Sequence, residues 1–319
     1  MRFDAICFGA LNVDRLYRVN RIAGRDEESF ITSVEEHAGG SAANTAVGLA
    51  RLGLRIGFIG KLSDDPEGTF LLDDFKRQNV DTVGTVIAEE GRTGLVLGYV
   101  DSAGDRALYI APGANNALEF SDINLEYAGT AKLLHLTSFV GEKPFEAQKK
   151  LVTKLHNVKV TLDPGELYAR RGLAALSPLL RRSSVVLPSE NEVKLLTGRE
   201  YVEGARILLE EGADIVAVKL GRRGCYVVDE HEHHLVESFK VSAIDTTGAG
   251  DAFCAGFLYG LINGKDLYEC GRLGNLVASR CIREIGAREG LPRASDLDEA
   301  EALNQLIHKE PKVRLHETR

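Results

Sequence analysis

The sequence predicts an α/β chain: a doubly wound, mainly parallel sheet with a second, small β-sheet beside it. Three observations lead there. Strand-like and helix-like patterns alternate almost from end to end. The strand candidates are continuous apolar runs such as Ile215-Val216-Ala217-Val218, the composition of a strand covered by helices on both faces. Two segments break the rhythm, Val13 to Glu36 and Thr93 to Ala111, where polar and apolar residues alternate at period two, as in hairpins covered on one face only.

In chain order, the apolar run through Ile6 and Phe8 predicts a strand at 4–10, and the small, largely apolar residues of 42–52 a helix. A strand at 55–59 and a helix at 66–78 follow, and the second period-two segment turns at Asp101-Ser102-Ala103-Gly104-Asp105. Then come strand 131–137, helix 144–156, strand 158–162, helix 168–180 and strand 184–187. Helices at 190–197 and 201–211 precede strand 214–219 and a hairpin over 224–239 that turns at Asp229 to His234. That turn holds His231, His233 and His234, which a polar hairpin tip explains without a metal. Helices at 251–263, 267–284 and 296–308 close the chain before a charged tail, 309–319.

The 319 residues, 44% hydrophobic and 27% charged, suffice for a sizeable core as one large or two small domains. A net charge of -8, with no long run of Lys or Arg, argues against nucleic-acid binding. No 18-residue apolar span indicates a membrane segment, and residues 1–12 read as a buried strand and not as a signal peptide, so a cytoplasmic location is expected. The five scattered cysteines do not form a disulfide framework.

The run Asp245-Thr246-Thr247-Gly248-Ala249-Gly250-Asp251 opens an apolar, small-residue helix. The backbone N–H groups of residues 248–251 are then its first-turn donors, which together with the helix dipole attract an anion. A carboxylate at 251 is a poor charge beside a phosphate unless it accepts a hydroxyl proton, and that pattern fits phosphoryl transfer. A capped helix after a glycine turn fits the same residues. A dinucleotide fingerprint fails because its third glycine falls on Phe253, and neither Gly60-Lys61 nor Gly264-Lys265 continues as a Walker A loop.

These residues resemble the C-terminal D-T-x-G-A-G-D signature of the ribokinase-like (PfkB) family of small-molecule kinases. The stretch His37-Ala38-Gly39-Gly40-Ser41-Ala42-Ala43-Asn44-Thr45-Ala46 resembles its N-terminal glycine signature, and the resemblance spans roughly 3–292. It implies a kinase core of 1–12, 37–92 and 112–319, and a β lid of 13–36 and 93–111 that covers the substrate and often mediates dimerisation. The activity implied is transfer of the γ-phosphoryl of ATP, with Mg2+, to a primary hydroxyl of a sugar or sugar derivative.

Residue by residue, the match makes Asp251 the base and the amides of Gly248, Ala249, Gly250 and Asp251 an anion hole. Asn12 and Asp14, in Gly9-Ala10-Leu11-Asn12-Val13-Asp14, resemble the sugar-binding N-x-D; Gly39, Gly40 and Asn44 join them, with Arg106, Asn115 and Asp163 as further candidates. Pro188-Ser189-Glu190-Asn191-Glu192 resembles P-N-E-x-E, which gives Glu192 to magnesium, through water, while Ser189 departs from the usual Asn. Lys219, Gly221, Arg223 and Gly224 resemble the adenine-nucleotide loop, and Asn275 matches a nucleotide-side position. Asp245 and Thr247, with the loop 282–287, resemble the K+ element of some members.

Ribose, fructose and 2-keto-3-deoxygluconate stay open as acceptors. One alternative is a nucleoside kinase, with Tyr17, Phe30, Tyr99 and Tyr109 of the lid offering an aromatic base pocket. The other is a sugar-binding regulator without catalysis.

Overall fold

The computed structural model describes residues 2–103 and 105–297, so the tail 309–319 and nearly all of the helix expected at 296–308 lie outside the described residues. In chain order the chain forms β1 (Phe3–Phe8), β2 (Asn12–Val19), β3 (Ile31–Gly39), α1 (Ser41–Arg51), β4 (Ile56–Ser63), α2 (Pro66–Arg77), β5 (Val80–Ala88), β6 (Gly94–Val100) and β7 (Arg106–Ala111). Then follow α3 (Leu125–Ala128), β8 (Ala131–Thr137), α4 (Glu142–Lys154), β9 (Lys159–Asp163), α5 (Gly165–Ala169), α6 (Leu173–Leu180), β10 (Ser183–Val186), α7 (Glu190–Thr197) and α8 (Tyr201–Glu210). The last are β11 (Ile215–Lys219), β12 (Cys225–Val228), β13 (His233–Val236), α9 (Ala249–Ile262) and α10 (Leu267–Cys281).

Among the described residues the large sheet has nine strands in the order β13-β12-β11-β10-β9-β8-β1-β4-β5. Seven run parallel, and only the hairpin β12–β13 is antiparallel to its neighbours. Strands such as β1, buried at every position, carry apolar residues on both faces because helices cover both. One apolar layer joins the sheet to α1, α2, α9 and α10, and the other to the helices of the 118–213 region. Small residues bring α1 against α9: a Cβ on Gly48 would stand 2.7 Å from that of Ala255.

The small sheet runs β3-β2-β6-β7. Both expected hairpins form, and parallel pairing of β2 with β6 fuses them. β3 continues past residue 36 to Gly39, so the glycine pair lies at its exit.

Two expectations needed correction. The helix over 168–180 is two helices, divided by Gly172 at φ 83°. Strand β5 was not anticipated; it is the sheet's edge, and its Val83 and Ile87 are exposed, so it lacks the continuous apolar signature.

Candidate active site

The ends of β1, β9 and β11 and the starts of α1 and α9 converge on one edge of the large sheet, where doubly wound folds bind ligands. Gly248 caps α9 in the left-handed conformation at φ 74°, and a Cβ there would meet Ala287 at 2.6 Å, so glycine alone fits. Gly40 does the same before α1, at φ 100°, with the Ala10 carbonyl oxygen 2.2 Å from where a Cβ would stand. The two glycines let both helix starts approach one point.

Asp251 occupies that point. Ser41 Oγ donates to its Oδ1 at 2.7 Å and Asn44 Nδ2 to its Oδ2 at 2.8 Å. Burial pushes the carboxyl up to about 6; the Asn44 and Ser41 hydrogen bonds and the Lys219 charge oppose that rise, and Asp163 adds to it. The group is therefore ionised at neutral pH, yet a better proton acceptor than an exposed Asp.

Ala249 N–H donates to the Thr246 carbonyl at 3.2 Å, whereas the amides of Gly248, Gly250 and Asp251 have no backbone acceptor among the described residues. Of the four amides expected to form an anion hole, three are thus without a backbone partner among the described residues. Gly250 is open above: a Cβ there would meet only the Lys219 side chain, with Nζ at 3.5 Å. Three free donors, a helix N-terminus and an ammonium group make a site for a phosphate.

Lys219 is not a solvated charge. Its Nζ pairs with Asp163 Oδ2 at 2.6 Å; burial opposes the charge, but Asp163 and Glu192 hold the ammonium above its usual range. Glu192 lies three residues into α7 and closes a capping box with Ser189: Ser189 N–H donates to Glu192 Oε2 at 2.7 Å, and Glu192 N–H donates to Ser189 Oγ at 3.3 Å. Burial pushes the Glu192 carboxyl up against the pull of Lys219. With one oxygen on the cap, the other keeps lone pairs for water around a magnesium ion, so the residue fits that metal.

On the acceptor side, Asn115 donates to the Leu11 carbonyl at 2.8 Å and to Asn12 Oδ1 at 3.0 Å, which fixes the exit from β1. Asp14 Oδ1 is buried without a hydrogen-bond partner, and so is the hydroxyl of Thr137 at the end of β8. Burial pushes the Asp14 carboxyl up to about 6, against the charges of Arg288 and His37 and with that of Asp251. A Cβ on Gly39 would stand 2.2 Å from Asp14 Oδ2, so that glycine is the wall against which the carboxylate rests. A buried acceptor atom lacking a donor is what a substrate hydroxyl would satisfy.

Other candidates sit differently. Asn44, expected on the substrate, uses its amide on Asp251 and Arg288. The Asn275 amide donates to the carbonyls of Val236 at 3.0 Å and Glu237 at 3.2 Å, which fixes the chain leaving β13. Gly221 and Gly224, both at positive φ, shape the β11–β12 loop; Arg223 pairs with Glu190 and lies over the Tyr201 ring. Asp245 Oδ1 takes the Thr247 hydroxyl at 2.7 Å, and its Oδ2 takes the Gly286 amide at 3.0 Å, which ties the loop 282–287 to the start of α9. The backbone of Arg106 pairs with Val100, at the strand ends away from Asn12 and Gly94, and its side chain lies outside the described residues.

Alternation along β2 puts Asn12, Asp14 and Leu16 on one face and Val13, Tyr17 and Val19 on the other. Tyr17 stacks on Tyr99, which meets Tyr109 edge-on. These tyrosines lie on the face opposite Asp14, and Phe30 is 76% exposed in the β2–β3 loop, so the four do not make an aromatic pocket beside Asp14. Val96, Leu108 and Ile110 join Leu16 on the Asp14 face instead. A cavity of about 520 Å³ opens on the tyrosine face, among Val19, Ile31, Leu97, Tyr99, Ala107 and Tyr109.

Sequence reasoning missed Ser41 and Arg288. Ser41 and Asn44 are three apart on a helix and share a face, so spacing could have paired them. Arg288 gives no such signal: Nε donates to Asn44 Oδ1 across 244 positions of chain.

Residues 2–294 match the profile described as pfkB family carbohydrate kinase. An Archaeoglobus fulgidus protein named an uncharacterized sugar kinase is 44% identical over 78% of this chain and 100% of its own length. A 5-dehydro-2-deoxygluconokinase of Bacillus subtilis is 28% identical over 93% of this chain and 95% of its own. The structure of Arabidopsis thaliana ribokinase complexed with ribose and ATP superposes with a TM-score of 0.85, at 25% identity, over 94% of this chain and 98% of that one.

Proposed function

The chain belongs to the pfkB family of carbohydrate kinases, and from that premise we propose that it transfers the γ-phosphoryl group of ATP to a primary hydroxyl of a sugar or sugar derivative, with Asp251 as the base. The observation that carries the reading is the pairing, on one turn of α9, of a hydrogen-bonded carboxylate with three acceptor-free amides.

The buried Oδ1 of Asp14 accepts from an acceptor hydroxyl, and Asn12 stands beside it. The reacting hydroxyl gives its proton to Asp251 as its oxygen bonds to the γ-phosphorus and the bond to the leaving ADP breaks. Charge that develops on the transferring group meets the amides of Gly248, Gly250 and Asp251, with the Lys219 ammonium beside Gly250. Gly221, Gly224 and Arg223 form the nucleotide side, and Asn275 supports it by fixing the chain after β13. Glu192 would hold magnesium through water, and that ion supplies neutralisation of the phosphate charge. Asp245 and Thr247 with the loop at Gly286 would surround a K+ ion, whose binding would stiffen the start of α9.

The Asp14-bearing face of the small sheet acts as the lid, and the opposite face meets a second copy of the chain. Support for the second role is the exposure there of Tyr109 at 62%, Ile31 at 55% and Val34 at 53%. The buried, unpaired cysteines suit a reducing compartment such as the cytoplasm.

The experiment is ATP-to-ADP turnover with magnesium and potassium across pentoses, hexoses, keto-deoxy acids and nucleosides, with Asp251→Asn as control. Acceptor-dependent turnover that the substitution abolishes supports the reading. Ligand binding without turnover on any acceptor would favour a regulator.

A further inference from the structure

This inference rests on Asp251 being the base of the reaction proposed above. Arg288 lies in the loop after α10, is 5% exposed and has each of its three guanidinium nitrogens engaged. Nε donates to Asn44 Oδ1 at 2.8 Å, Nη1 to Asp74 Oδ2 at 2.5 Å, and Nη2 to the Gly39 carbonyl at 3.1 Å. Helix α1, helix α2 and the exit of β3 thus meet on one cation.

The two ends of the Asn44 amide have different partners: Oδ1 receives Arg288, and Nδ2 donates to Asp251 at 2.8 Å. An amide side chain is nearly symmetric in shape, so its partners alone decide which end faces which. A guanidinium only donates, so it can pair only with the oxygen end. We infer that Arg288 is a positioning residue for the base: it locks the Asn44 amide with its NH2 end on Asp251, and so holds that carboxylate oriented and free to receive the acceptor's proton.

Without Arg288 the amide can turn over and present its oxygen to Asp251. Two acceptors then face each other, and the contact is favourable only when Asp251 carries a proton to donate. Amide orientation and protonation of the base become coupled, and Asp251 ionises at higher pH.

The other ionisable groups around the pair are Lys219 and Asp163 opposite Asp251, Asp14 and His37 from the small sheet, Glu289 and Asp74 beside Arg288, and the thiols of Cys254 and Cys281. All but Asp74 stay in place in the variants below. A purely structural clamp between α2 and β3 would use the same contacts but would not move the base's titration.

The test uses the full chain, magnesium and ATP, and whichever of ribose, fructose, 2-keto-3-deoxygluconate or a nucleoside supports turnover. Arg288→Gln alone would strand Asp74 in the interior, so the double variant Arg288→Gln/Asp74→Asn removes both charges together. We expect kcat to fall ~10-fold or more, the KM for ATP to stay within about threefold, and the acid limb of the rate profile to rise by about one pH unit. Arg288→Lys, which keeps the charge but not the fork, should lower kcat and raise the limb in the same directions by smaller amounts, and it carries the same readouts if the double variant does not fold.

A folded variant with unchanged kcat and limb overturns the inference, and so does a lower kcat with the limb unmoved. Carboxyl titration of Asp251 by 13C NMR, in the wild type and the variant, asks the question without turnover: an upward shift supports the positioning role, and an unchanged value overturns it. A shifted carboxyl in a protein that phosphorylates no acceptor would count against the kinase reading alone, so the two failures are distinguishable.

Discussion

Ser41 Oγ lies 2.7 Å from Asp251 Oδ1, so the first turns of α1 and α9, more than two hundred residues apart in the chain, meet on a single carboxylate. With Asn44 on the other oxygen, neither is left to bare solvent. That arrangement holds the group while leaving lone pairs for an incoming proton.

Replacing Asp251 by Asn keeps the shape and removes the base. We expect kcat to fall by about 10² to 10⁴, with little change in nucleotide affinity measured by calorimetry. A variant retaining more than a tenth of wild-type kcat would take Asp251 out of this role.

The pH profile follows from burial. Because the Asp251 carboxyl is raised to about 6, the fraction ionised falls as pH drops through that value, and kcat should fall with it. Asp14, also near about 6, titrates in the free enzyme, so kcat/KM should show a steeper, composite acid limb. A limb near the ordinary Asp value of ~3.9 would contradict both assignments.

Ser41→Ala removes one donor to the ionised base. A hydrogen bond to a charged group contributes ~1.5–3 kcal/mol, so the acid limb should rise by about one unit or somewhat more, with kcat at pH 7 reduced by less than in Asp251→Asn. A downward shift of the limb, read from the same kinetics, would refute it.

Gly39→Ala tests the acceptor side. The new methyl would stand 2.2 Å from Asp14 Oδ2, so the carboxylate must turn away, while the backbone there has no positive φ to strain. We expect KM for the acceptor to rise ~10-fold or more, as one charge-assisted contact is lost, with nucleotide affinity unchanged. Equal losses for both ligands would point to general misfolding.

Tyr109→Glu places a charge on the exposed aromatic face of the small sheet. The proposed dimer predicts that the wild type sediments as two chains and the variant as one, and a wild type that sediments as a monomer at ~10 μM would exclude a stable dimer of the usual interface size.

Much of this was legible in the sequence for a physical reason. Strands such as Ile215–Lys219 have to be apolar on both faces, and the glycines at 40 and 248 must accept conformations that other residues avoid. What stayed illegible depends on the fold's closure. β5 is an edge strand with solvent on one side, and the Arg288–Asn44 and Ser41–Asp251 pairs exist only once distant segments are packed. The anchoring role of Asn275 was equally hidden, since its amide is spent on the carbonyls of Val236 and Glu237, which only the fold brings near.

Strand β2 bears Asp14 on one face and Tyr17 on the other, three residues apart. A single inserted or deleted residue ahead of Asp14 would exchange the two sets at a stroke, turning carboxylate outward and aromatic inward. In this chain the strand can therefore change by substitution but not by length. The grip on an acceptor and the make-up of the outward apolar surface thus share one reading frame along the strand, and neither can be shifted without the other.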